Sequence, residues 1–149
     1  HYAEFLEGVP DKPKVISELF LFRAWTTQFG FRMFSPNEEV SEKVICDVLN
    51  LANALGKGML LAIDGVNIEE TLGGRFMDLL QERWQEYDFA FVNNRKEGYI
   101  PVKEICFKVC DFCGVEDVAK LLWITQDFLT HFELIKSECA ELFYHSSGK

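Results

Sequence analysis

Nothing in the 149 residues is apolar for long enough to cross a bilayer. The richest stretch, Val15 to Phe22, is broken by Ser17 and Glu18, against the roughly 18 to 20 apolar residues that a spanning helix needs. Basic clusters are equally scarce, with none denser than Arg95-Lys96. Affinity for DNA or RNA comes mainly from basic side chains that neutralise phosphates, so direct nucleic-acid binding is not expected. An anionic membrane surface is disfavoured on the same grounds. The chain also lacks Gly-x-Ser-x-Gly, Gly-x-x-x-x-Gly-Lys-Ser/Thr and Gly-x-Gly-x-x-Gly, which removes the nucleophile elbow and the backbone cradles for phosphate. Its two internal histidines, His131 and His145, both fall in the last 20 or so residues, too close together in sequence to supply an obvious base-and-acid pair around a serine.

What is present is acid and aromatic. A formal charge of -9 is spread along the chain without an acidic tail, and 14 Phe, three Trp and four Tyr accompany it. The length fits one helical domain over residues 1–149. Because the chain starts at His1 rather than Met, we expect it to be a piece of a longer protein. Five cysteines, Cys46, Cys106, Cys110, Cys113 and Cys139, form an odd set that suits a reducing compartment such as the cytoplasm better than a paired secreted scaffold.

The periodicity predicts an all-α fold, a compact bundle of about five to six helices with a long C-terminal one. Residues 15 to about 29 carry Leu19, Phe22 and Phe29 on one side and Ile16, Phe20 and Ala24 on another. Apolar groups on both sides mark a helix buried on both; Gly30 and Phe31 to Phe34 are expected to form its irregular exit. Ser35-Pro36-Asn37-Glu38 predicts an N-cap at Ser35 and a helix to about residue 55, carried by Val40, Val44, Val48 and Leu51. Met59 to Ile63 reads as either a strand or a short buried helix. Asn67 to Glu70 can cap a further helix, and Phe76, Leu80, Trp84, Tyr87 and Phe91 form one stripe, with Arg83 assigned to the polar side. Residues 93–98 are expected to be a loop, Pro101 to open a short helix that ends near Gly114, and residues 116 to about 144 to form the long last helix.

Cys106, Cys110 and Cys113 lie in Cys-Phe-Lys-Val-Cys-Asp-Phe-Cys. This CxxxCxxC spacing resembles the iron-sulfur motif of radical S-adenosylmethionine enzymes. The resemblance implies three thiolates holding a four-iron cluster whose free iron binds the amino acid end of S-adenosylmethionine. It covers eight residues; the glycine-rich methionine-binding stretch of that family is missing, and the residues after Cys113 read as one helix rather than alternating strands and helices. The same spacing places all three thiols on one side of a helix, where free cysteine packs readily. Zinc would need a fourth donor, for which Cys139, His131 and His145 are the candidates. No cofactor is expected, and Cys106, Cys110 and Cys113 stand as the metal-ligating candidates.

Asp127, His131, Glu138 and His145 project in one direction from the last helix, with Glu141 near by, and are expected to form a surface stripe. Asp78, Glu82 and Glu86 repeat every fourth residue, a like-charge pattern that a basic partner would relieve. With Trp84 and Trp123 as aromatic candidates beside them, they define an expected interaction surface. Trp25 and Phe91 belong to the same group of candidate anchors. The favoured reading is therefore a protein-interaction or adaptor domain with an acidic, aromatic-containing helical surface. Its partner would be a protein with a basic patch, or a second copy in a homodimer. Two alternatives are a metal or iron-sulfur enzyme or sensor built on Cys106, Cys110 and Cys113, and an acidic mimic of nucleic acid that occupies a basic protein.

Overall fold

The computed structural model describes residues 3–56, 58, 60–96 and 100–145. Among these there is no strand; they form a bundle of seven α-helices of four or more residues and three single π-helical turns. In chain order the helices are α1 (Ala3–Leu6), α2 (Lys12–Phe34), α3 (Glu38–Leu51), α4 (Ile68–Leu72), α5 (Phe76–Asn94), α6 (Val102–Cys113) and α7 (Val118–Cys139). The π turns are Ala52–Gly56, Leu60–Asp64 and Ala140–His145. No helix of the described residues is long and apolar enough to cross a membrane.

Helix α2 is the axis of the molecule and packs against α3, α4, α5, α6 and α7. Its opposite sides enter two apolar clusters. Val15, Leu19, Phe22, Trp25 and Phe29 join Tyr87 of α5, Ile105 and Val109 of α6, and Phe128 and Phe132 of α7. Leu21 and Ala24 join Ala52, Leu60, Ile68, Phe76 and Leu80. The aromatic content is largely spent in the first cluster: Trp25 stacks on Phe29 at 4.7 Å, and Phe29 reaches Phe91 at 4.9 Å and Phe132 at 5.7 Å. Offset and edge-on pairs of this kind add to what burial alone contributes.

The helix runs on where an exit is expected. Gly30 lies inside α2, where a Cβ would stand 2.6 Å from Cγ2 of Ile135, so the glycine is there to let α7 approach and not to end the helix. The cap of α3 also differs. Asn37, not Ser35, accepts from the Val40 amide at 2.9 Å, and α3 gives way to a π turn at Ala52. Leu60 is buried in its own π turn, whereas Leu61 and Ile63 are exposed; Met59 lies outside the described residues. Asn67 caps α4 and Gly73 ends it in the left-handed region. α5 continues to Asn94, so the expected loop over 93–98 begins later, and its residues 97 and 98 lie outside the described ones. Gly114 closes α6 at φ 71°, as the sequence predicts.

The main departure is Arg83. It points into the interior, donating from Nε and Nη2 to both carboxylate oxygens of Glu18 at 2.8 Å each. Glu18 is 1% exposed, and the Arg83 guanidinium lies 4.2 Å from the Phe112 ring centroid. Its remaining Nη1 donates to Glu82 at 2.9 Å. Such a fork-on-fork pair is geometrically specific, and breaking one half of it costs about 3 to 5 kcal/mol because the other charge is left in the interior. We therefore expect Glu18→Leu to lose about that much in urea denaturation. Glu18→Leu combined with Arg83→Met should recover to within about 1 kcal/mol of the parent protein or exceed it. A single variant as stable as the parent would show that the pair does not hold α2 to α5.

Candidate functional site

The three clustered thiols sit on the inner face of α6. Cys106, Cys110 and Cys113 are all buried, and burial raises their pKa values, to about 12 for Cys106 and about 11 for Cys110. Cys113 is pushed up further, by burial first and then by the Glu18 carboxylate. Burial thus favours the neutral thiol at each, which makes all three weak nucleophiles. Cys139 is buried on α7 and its thiol is likewise raised by burial. Among the described residues no group of three or more His, Cys, Asp or Glu side chains is placed to hold a metal ion.

Of the stripe expected on the α7 surface, Asp127 and His131 turn toward α2 instead, while Glu141 is exposed as expected. Asp127 forms an ion pair with Arg23 of α2 at 2.8 Å, and His131 Nε2 lies 3.1 Å from Thr27 Oγ1. Both pairings tie α7 to α2 across 104 residues of sequence. Burial, and then the neighbouring Arg23 charge, lower the His131 pKa. Glu138 is exposed, and the side chain of His145 lies outside the described residues.

On α5, Asp78 is exposed, Glu82 is paired with Arg83, and Glu86 is paired with Lys108 of α6 at 3.2 Å. Two of the three repeated acids therefore already have a basic group facing them. Trp84 is half-buried, with its Nε1 in the interior and no hydrogen-bond partner. Trp123 is half-buried against Phe5, 4.8 Å between ring centroids, on α7 and so apart from the α5 acids. Trp25 is fully buried and donates to Asp88 at 2.9 Å; it is a core residue.

The structure gathers two surface sites that the sequence reading missed. One lies where α6 turns into α7. Phe107, Val115, Val118 and Leu121 surround a notch of about 220 Å³ whose rim carries Asp111, Glu116 and Asp117. Phe107 is 46% exposed, Val118 68% and the adjacent Leu122 64%. Asp117 is engaged in capping α7 through the Ala119 amide, and Lys103 stands 5.6 Å from the Phe107 ring. The second is a cleft of about 460 Å³ between the C-terminal ends of α2 and α5. Phe29, Met33, Phe91 and Val92 form its apolar wall, and Arg32, Asp88 and Arg95 its polar one. Asp88 is shared there by the Trp25 indole and, at 3.7 Å, by Arg32. The available signal was a large apolar residue standing off its helix's own stripe, as Phe107 and Val92 do.

Comparisons with protein-family models, curated proteins and solved structures give no match to this chain.

Two measurements bear on these environments. A thiol reagent should label Cys46, which is exposed, quickly, and the four buried cysteines only after denaturation. Rapid labelling of a second thiol in the native protein would contradict the placement of α6 and α7. His131 is held neutral in the fold, so its contribution to stability is fully present above its ordinary pKa of about 6.5 and is lost as pH falls below it. Denaturation midpoints measured between pH 7.5 and 5.5 should therefore fall less steeply for His131→Asn than for the parent. Identical slopes would remove His131 from the pH dependence.

Proposed function

We propose that the chain is a protein-interaction domain whose docking position is the notch between α6 and α7, and that it takes a basic segment carrying an apolar anchor. The observation that carries this is the exposure of Phe107 and Val118 together, around a notch edged by Asp111 and Glu116. A cluster of large exposed apolar side chains inside a polar rim is the usual anatomy of an energetic centre in an interface. Neither acid has an ion-pair partner among the described residues, so both are available to a cation. The overall charge of -9 favours encounter with a basic partner from any direction. The stripe of Asp78, Glu82 and Glu86 with Trp84, and Trp123 beyond it, would add to that long-range attraction. Contact energy is expected from Phe107 and its neighbours.

The test uses a fluorescent helical peptide with Leu and Arg alternating at four-residue spacing, titrated with the full chain. Phe107→Ala is expected to weaken binding about tenfold, equivalent to about 1.4 kcal/mol. Asp111→Asn with Glu116→Gln should flatten the salt dependence of binding. Asp78→Asn should change little. Binding that ignores Phe107→Ala and follows Asp78→Asn would move the docking position to α5.

A further inference from the structure

In a chain with 24 acids against 15 Lys plus Arg, two arginines edge a single apolar cleft. We propose that the cleft between the C-terminal ends of α2 and α5 binds a small carboxylic acid in its anionic form. The apolar body of the ligand would lie against Phe29, Met33, Phe91 and Val92, and its carboxylate between Arg32 and Arg95. This site is separate from the docking notch and does not rest on it.

Helix direction sets the two apart. Along α2, Glu18 meets Arg83, Trp25 meets Asp88 and Phe29 meets Phe91, so α5 runs parallel to it. Both helices therefore finish at the same end of the bundle, and their last turns form the two walls of the cleft. Arg23 meets Asp127 and Phe29 meets Phe132, so α7 is parallel to them as well. The notch lies at the opposite end, where the close of α6 at Gly114 sits beside Lys14, near the start of α2.

The apolar wall suits a small molecule. The cleft measures about 460 Å³, inside the range of roughly 300 to 1,000 Å³ typical of ligand pockets. Each helix contributes one exposed apolar side chain, Met33 at 46% and Val92 at 59%. Each also contributes a ring, and Phe29 and Phe91 meet edge-on at 4.9 Å. Ligand carbon laid against these groups removes from water apolar surface that the fold leaves in it.

The polar wall sets the ligand's charge. A guanidinium carries five N–H donors and no acceptor. Asp88 Oδ1 already accepts from the Trp25 indole at 2.9 Å and lies 3.7 Å from Arg32 Nη1, and Gln28 Oε1 lies 3.5 Å from the same nitrogen. Arg95 is exposed and has no acidic partner among the described residues. Donors thus outnumber acceptors, so the group that completes them is an acceptor, and guanidinium forks match the paired oxygens of a carboxylate. Two arginines against one aspartate leave one positive charge uncompensated, which a monoanion neutralises. A dianionic phosphate would bring a surplus negative charge to a chain already at -9. A helix C-terminus favours a cation on its own account, but that does not explain why two such cations share the edge of one apolar cleft.

The test is isothermal titration calorimetry of the full chain with octanoate, beside octanol and octylammonium as probes with the same chain length and no carboxylate. Saturable binding of octanoate at a single site is expected, weakening as salt is added. Octanol should bind about tenfold more weakly or worse, and octylammonium not detectably. Arg32→Gln and Arg95→Gln should each weaken octanoate binding about tenfold. Val92→Glu, which sets a like charge on the apolar wall, should abolish it. All three positions are exposed, so the variants are expected to fold, and an unchanged denaturation midpoint checks that they do. Asp111→Asn/Glu116→Gln, at the notch, should leave octanoate binding as it is.

A chain that takes up no octanoate overturns the inference. Octanol bound as tightly as octanoate does so too, since the cleft would then be an apolar patch that does not read a carboxylate. Binding that ignores both arginine variants and Val92→Glu places the ligand elsewhere and has the same consequence.

Discussion

The inner faces of α2 have no solvent in which to place a charge, and α2 places Glu18 there. The carboxylate is tolerable because Arg83 reaches it with two nitrogens at 2.8 Å and rests its flat face on Phe112. That single arrangement joins α2, α5 and α6 and lies between the two apolar clusters. Aliphatic packing could hold the same helices together, but it would not penalise a sliding of α5 along α2 so heavily. A buried fork of this kind fixes register, since a shift of one helical turn would leave two opposite charges unpaired in the interior. The aromatic contacts of Trp25, Phe29, Phe91 and Phe132 then fall into the places that this register dictates.

Much of the fold was legible in the sequence because it depends on local chemistry. Asn67 and Gly114 act at helix ends through their own side chain or backbone, and the apolar stripes of α5, α6 and α7 repeat at helical spacing. What escaped is what depends on a distant neighbour. Gly30 looked like a stop because nothing nearby in sequence announces Ile135. Arg83, Asp127 and His131 looked like surface residues because their partners, Glu18, Arg23 and Thr27, lie 65 to 104 residues away. The two surface sites were hidden for the same reason: each is assembled from two helices, and an apolar residue off its own helix's stripe, such as Phe107, does not name the neighbour that completes the site.

Charge is not distributed evenly along the axis. The C-terminal ends of α2 and α5 bear Arg32 and Arg95, where the partial negative charge of unsatisfied carbonyls favours cations. The opposite end, where α7 begins, carries Glu116 and the capping carboxylate of Asp117, where unsatisfied amides favour anions. Parallel alignment of α2, α5 and α7 therefore gives the molecule an electrical direction, which Arg32, Arg95 and the capping Asp117 follow.

The central position of α2 also bears on how the chain is made. It precedes the helices that cover it, yet Asp127 follows its partner Arg23 by 104 residues, and Ile135, which Gly30 accommodates, comes later still. Until α7 has been added, a helix built to be surrounded has one side without cover. Long-range closure of this kind slows folding and leaves apolar surface open in the meantime. A nascent chain halted before α7 would leave Phe22, Trp25 and Phe29 without the cover of Phe128 and Phe132, which makes α7 the element that closes this core.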